Sequence, residues 1–180
     1  MSKRVAMVFG HGVEELELIA PADVLRRAGC EVLWVTWEET RELVTRGGFT
    51  LFAHQSLAEL DMAQIDLLVL PGGPGVMAAR KRPDVWALLA DYATTGKPLA
   101  AICAAPLLLH DAGLLAGRRF ACHGSCHAEL PAALKEERVV VDGTLITSRG
   151  AGTALEFGLA LVEQMCGDEM RREIELAIEI

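Results

Sequence analysis

Apolar runs of strand length alternate along this chain with helix-length amphipathic stretches, the pattern of an α/β domain built on a mainly parallel sheet. Residues 5–9 read as the first strand, and residues 32–37, 66–70 and 98–102 as further core strands. Between the first two, Leu16, Ile19, Ala20, Val24 and Leu25 recur at helical spacing, and Ala28-Gly29 supplies a stop signal. Residues 43–46 and 49–53 flank Gly47-Gly48 and predict a small hairpin, with Ser56 placed to cap a short helix. Pro83 suits the first turn of a helix through Trp86, Leu89, Ala90 and Ala93 to Gly96. Beyond Cys103 the pattern predicts a helix over 104–112, a short strand over 119–122 and two strands, 139–141 and 145–148, around Asp142-Gly143. A long helix over 154–165 and a charged one over 168–179 follow. With no repeat, linker or low-complexity stretch, residues 1–180 are expected to form one domain.

Composition narrows the class. With 52% hydrophobic residues in 180, the chain has enough apolar material for a buried core, which excludes a disordered tail. Its longest apolar stretches, near residues 67–70 and 99–109, fall short of the roughly 18–20 residues a bilayer span requires, and Pro106 interrupts the second. Met1-Ser2-Lys3-Arg4 runs directly into a strand, so no secretory signal and a cytoplasmic address are expected. Against 25 acidic residues there are 17 basic ones, a net charge of -8, which speaks against a nucleic-acid binder. The one basic run, Arg80-Lys81-Arg82, reads as a solvated approach to a helix. Five cysteines (Cys30, Cys103, Cys122, Cys126 and Cys166), an odd number in an apparently cytosolic chain, argue against a disulfide framework.

Four segments carry candidate chemistry. Residues 99–106 place Cys103 between an apolar strand and a helix with Pro106 in its first turn, the sequence of a nucleophile elbow. A helix N-terminus aimed at the thiol predicts that Cys103 is more acidic than a free cysteine; the alternative is a buried structural cysteine. Leu70-Pro71-Gly72-Gly73-Pro74-Gly75 leaves another strand at the same edge. Backbone N–H groups of Gly72 and Gly73, with that of Ala104, are candidates for an oxyanion hole; an ordinary tight loop is the plainer reading, and no phosphate-binding signature is complete. In Gly12-Val13-Glu14-Glu15-Leu16-Glu17 the first two carboxylates suit a solvated helix start, whereas Glu17 flanks the apolar face of Leu16, Ile19 and Ala20. Beside Cys103 it and the thiolate cannot both be charged cheaply, so one of the pair holds the proton. Residues 121–127 contain Cys122, His123, Cys126 and His127. A structural zinc site lacks a second cluster, and His123 is the candidate acid/base at a strand end.

Together these segments resemble the ThiJ/PfpI superfamily, more closely its DJ-one-like branch. The resemblance rests on residues 12–17, 26–29, 70–73, 100–106 and 147–153 and on Glu156-Phe157, in the family's order. It implies a flavodoxin-like doubly wound sandwich, a homodimer, and a nucleophilic cysteine at Cys103. It also implies a partnering glutamate at Glu17, loop donors at Gly73 and Ala104, and a histidine at His123. Two departures bear on the pocket entrance and dimer detail: Gly124 follows His123 where relatives often have proline, and Ala151 stands for a proline in the Thr147 to Thr153 motif. His127-Ala128-Glu129 mimics a glutamine amidotransferase motif, but only 24 positions after Cys103, so glutaminase chemistry is discounted.

The function this implies is a cofactor-free, cysteine-dependent enzyme acting on α-oxoaldehydes such as methylglyoxal and glyoxal, or on their early adducts with thiols and amines, giving hydroxy acids. Glutathione-independent glyoxalase and deglycase chemistry both fit; the resemblance also admits isocyanide hydration and cysteine peptidase activity. The alternative is a redox-sensing, chaperone-like stress protein in which Cys103 is oxidised. A metal-binding module at residues 122–127 is a third possibility. Trp34, Trp37 and Phe49 are expected in the core.

Overall fold

Every residue from Val5 to Phe9 is fully buried, so β1 (Arg4–Phe9) is a central strand covered on both faces. In the computed structural model, which describes residues 2–180, it is followed by α1 (Glu15–Arg27) and β2 (Glu31–Thr36). A two-stranded antiparallel ribbon comes next, β3 (Glu42–Val44) with β4 (Thr50–Phe52), then a short edge strand, β5 (Gln55–Ser56). Ser56 caps a 3₁₀ turn at Leu57–Glu59 through a reciprocal bond with Glu59. The chain continues through β6 (Leu67–Leu70), α2 (Val76–Ala79), α3 (Pro83–Ala93), β7 (Leu99–Ile102) and α4 (Pro106–Asp111). It closes with the hairpin β8 (Val139–Asp142) and β9 (Leu145–Ser148), then α5 (Ala154–Cys166) and α6 (Asp168–Ala177).

The main sheet has seven strands in the order β5-β2-β1-β6-β7-β9-β8, parallel except at β8. Right-handed crossovers from β1 to β2 and from β6 to β7 advance in opposite directions, which puts α1 and α3 on opposite faces. This is the flavodoxin-like doubly wound arrangement expected from the sequence. Helix α5 packs along α1, and α6 packs on α5. Among the described residues no helix is long and apolar enough to cross a membrane.

Three expectations need correction. Residues 119–122 form no strand: both edges of β9 are taken by β7 and β8, and the segment pairs with no strand of the sheet. The segment is instead tied by the Ala121 N–H to Thr147 Oγ1 (2.9 Å) and by the Phe120 carbonyl to the Leu134 N–H (2.9 Å). Helix α1 turns inward Glu17, Leu18, Pro21, Ala22, Val24 and Leu25, so Leu16 (57% exposed) and Ile19 (42%) face outward. Phe49 is 66% exposed at the tip of the ribbon, whereas Trp37 is buried and Trp34 partly so.

Two residues of the α1–α5 contact set its geometry. Pro21, inside α1, has no N–H to offer the carbonyl of Glu17 four residues earlier. Opposite it in α5 stands Gly158, where a Cβ would fall 2.7 Å from Val24 Cγ2 and 2.8 Å from Pro21 Cα. Gly158→Val is therefore expected to destabilise the fold by about 1–3 kcal/mol through overpacking. Urea unfolding checks this, and an unchanged midpoint would refute the tight contact.

Candidate active site

Strands β1, β6 and β7 end at one edge of the sheet, where the crossovers diverge and leave a crevice. The segments following these three strands converge there. After β7, Cys103 takes φ 66, a left-handed conformation that non-glycine residues rarely adopt. Neighbouring backbone holds it in place: the Cys103 N–H donates to the Ser148 carbonyl (2.9 Å), and the Cys103 carbonyl accepts from the His123 N–H (2.8 Å). The strain at an elbow thus projects a half-buried thiol from the sheet edge.

Glu17, in the first turn of α1, lies beside this thiol with 1% of its surface exposed. Its Oε2 accepts the Gly72 N–H at 2.9 Å, while Oε1 is buried without a hydrogen-bond partner. The loop permits this approach because residue 72 has no side chain. A Cβ there would fall 2.6 Å from Glu17 Oε2 and 2.7 Å from Cys103 Cβ. The Gly72 N–H is consequently engaged by Glu17 and does not join the oxyanion donors expected from the sequence. The Gly73 and Ala104 N–H groups face the Cys103 sulfur.

Burial raises the Glu17 carboxyl from its ordinary 4.5 to about 7, against the opposing pull of Cys103 and the Gly72 N–H. Burial, and then the charge and hydrogen bond of Glu17, also push the Cys103 thiol above the ordinary cysteine range, against the Gly73 and Ala104 N–H groups. This reverses the expected acidity of Cys103. Helix α4 has only six residues, and its dipole does not offset desolvation next to a carboxylate. The two groups act as one acid: a proton on Glu17 removes the charge that disfavours the thiolate and offers it a hydrogen bond.

His123 follows the residues that flank Cys103 from the other side, and its ring is exposed. Nδ1 accepts the Ser125 N–H (3.2 Å) and meets the Ser125 hydroxyl at 2.8 Å, which leaves Nε2 unengaged by that contact. A Cβ on Gly150 would stand 3.3 Å from His123 Cδ2 and 4.0 Å from Glu17 Oε1, so the bare backbone of Gly150 separates the two side chains. Cys122 and Cys126 are buried and His127 half-buried. Glu14 pairs with Arg46 (3.2 Å), and Glu15 accepts from Thr45 and Gly47, so neither carboxylate is directed at Cys103.

Sequence reasoning missed Ser125, Gly150 and Arg46. Ser125 lies two residues after His123, at the spacing of a side chain that bonds its own turn, and Gly150 falls within the Thr147 to Thr153 motif. The positive charge of Arg46 favours the ionised form of Glu17, and nothing in the sequence links the two; the ribbon docks on the loop before α1 through the Gly12 N–H to Val44 carbonyl (2.8 Å) and the Arg46 N–H to Val13 carbonyl (2.9 Å).

The raised carboxyl has a definite pH signature. Between 4.5 and about 7 the folded state holds a proton that the unfolded chain has released, so Glu17's contribution is fully present below 4.5 and lost by about 7. The loss is on the order of 3 kcal/mol. Glu17→Gln is expected to flatten this fall, seen as a smaller difference between unfolding free energies at about pH 5 and about pH 7.5. Equal differences in the two proteins would show that Glu17 is not the titrating group.

A DJ-1/PfpI family model matches residues 3–164. Protein dj-1beta of Drosophila melanogaster is 36% identical over 178 residues, covering 97% of this chain and 95% of the relative. The crystal structure of Drosophila melanogaster DJ-1beta is similar with a TM-score of 0.95 at 35% identity, covering 100% of this chain and 99% of the other. Glutathione-independent glyoxalase DJR-1.2 of Caenorhabditis elegans is 32% identical over 159 residues, with 87% and 84% covered. Match and identity extend over nearly the whole chain, elbow and glycine loop included, and the chain belongs to the DJ-1/PfpI family.

Proposed function

We propose that this protein is a cofactor-free glyoxalase of the glutathione-independent kind, converting α-oxoaldehydes to 2-hydroxy acids, with methylglyoxal to lactate as the reference reaction. The observation that carries the reading is the buried, unpartnered Oε1 of Glu17 beside a strained Cys103 whose sulfur faces the Gly73 and Ala104 N–H groups. The family relative named a glutathione-independent glyoxalase supports it.

The steps balance without an external oxidant. As Cys103 adds to the aldehyde carbon, its proton passes to the Glu17 carboxylate and on to the new alkoxide, giving a hemithioacetal. Glu17, again a carboxylate, removes the hydrogen of that carbon to form an enediolate and returns it to the neighbouring carbon while the hydroxyl proton shifts to the second oxygen, which leaves a thioester. Water attacks the thioester with Glu17 as base, and the hydroxy acid departs as Glu17 returns that proton to the Cys103 sulfur. A carboxyl poised near 7 suits both directions of transfer at neutral pH. Gly73 and Ala104 are the donors for the oxyanion of thioester hydrolysis, and His123, through its Nε2, polarises the second carbonyl in this reading.

Oxidation of Cys103 to a sulfinate held by protonated Glu17 is a second reading, favoured by the same donors around the sulfur. Direct lactate quantification in a non-amine buffer separates the two. Turnover is expected, with Cys103→Ser lowering it about 1,000-fold or more and His123→Ala by about 10–100-fold. No turnover above the blank, with peroxide adding two oxygen atoms to Cys103, would shift the assignment to the redox reading.

The proposed assembly is a homodimer formed through α1. Leu16 and Ile19 face solvent on the helix that carries Glu17, and Leu16 borders a groove with Ala151, Gly152, Leu155 and Ile180. Leu16→Glu is expected to halve the mass observed in sedimentation at micromolar concentration; an unaltered mass would place the contact elsewhere.

A further inference from the structure

Two thiols that the proposed chemistry leaves unused meet at the other end of the sheet. Cys30 lies between α1 and β2, its N–H bonded to the Leu25 carbonyl (3.0 Å) and its side chain buried. Cys166 is the last residue of α5 and is half-buried. Their Sγ atoms are 3.8 Å apart across 136 positions of sequence, and Cys166 Sγ also faces the Ala28 carbonyl at 3.9 Å. Sulfurs in van der Waals contact need to close to about 2.05 Å to bond. Both residues sit at element ends next to left-handed glycines, Gly29 and Gly167, where the backbone adjusts more readily than within a helix.

We propose that Cys30 and Cys166 form a redox pair that closes to an intramolecular disulfide on exchange with an oxidised low-molecular-weight thiol, stapling the α1–β2 junction to the end of α5. The thiolate of Cys166, the more accessible member, attacks one sulfur of the small disulfide and releases one thiolate, leaving a mixed disulfide on Cys166. Cys30 then attacks the Cys166 sulfur, the protein disulfide forms, and the second small thiolate leaves with the proton of Cys30. Two electrons pass from the protein thiols to the small disulfide, which ends as two thiols. Burial and the neighbouring Cys166 push the Cys30 thiol up to about 12, so Cys30 stays inert until the adjacent sulfur is activated.

The consequence is mechanical. Helix α1 carries Glu17 at one end and leads into Cys30 at the other, while Cys103 stands at the opposite sheet edge. Oxidation of the pair therefore ties α1 to α5 without engaging the nucleophile, and it closes a long loop, the case in which a cross-link most restricts the unfolded chain.

The test is incubation of the protein, and of Cys103→Ser alongside it, with oxidised glutathione, followed by mass spectrometry without reduction. The expected product has lost the mass of two hydrogen atoms, apart from any adduct on Cys103. It yields a peptide pair joining Cys30 to Cys166 and melts about 5–10 °C above the reduced form. Cys166→Ser is expected to lose both the link and the rise. A persistent glutathione adduct on Cys166 with Cys30 free, modification of Cys103 alone, or a link from Cys103 to either cysteine would overturn the proposal.

Discussion

Two acids set side by side, the buried Glu17 carboxyl and the half-buried Cys103 thiol, cannot both be ionised cheaply, and that shared proton is the constraint around which the sheet edge is arranged. Gly72 is bare because a side chain would collide with both groups, and its N–H fixes one carboxyl oxygen. Ser148 and His123 supply backbone partners that hold Cys103 in a left-handed conformation. The order β2-β1-β6-β7 brings these pieces together, because three parallel strands end at one edge where the connections diverge. The remaining core, buried on both faces of the sheet, supplies the stability from which the cost of a raised carboxyl is met.

The elements of the fold are largely legible in the sequence because each has a local cause. Apolar runs fix the strands, Gly47-Gly48 the ribbon, Pro83 the start of α3, and Ser56 with Glu59 a capping box. What fails is what depends on neighbours. Residues 119–122 look like a strand by composition, yet β9 has no free edge to offer. Leu16 and Ile19 have core spacing, yet Leu18, Pro21, Ala22 and Leu25 form a competing stripe at helical spacing, and it is this stripe, with Glu17 beside it, that is buried.

The site was legible to a different depth at each residue. Cys103 announces itself by a strand, small residues and a proline within eight positions, a signal carried by backbone geometry. Its acidity is not legible, because a helix N-terminus can be seen in sequence while burial and the neighbouring carboxyl cannot. Gly72 and Gly73 look equivalent on paper, but one N–H turns to Glu17 and the other to the sulfur. The involvement of Arg46 arises only when the ribbon docks onto the loop before α1.

Pro21 gives the first turn of α1 a further property. Since it has no N–H for the Glu17 carbonyl, the helical ladder is interrupted between the residue that handles the proton and the body of the helix. The turn bearing Glu17 is held by the glycine loop at least as much as by its own helix, through the Glu14 N–H to the Gly72 carbonyl and the Gly72 N–H to Oε2. A displacement of that loop therefore reaches the carboxylate through hydrogen bonds and not only through the helix, so the geometry of the crevice entrance and that of the proton donor are set together.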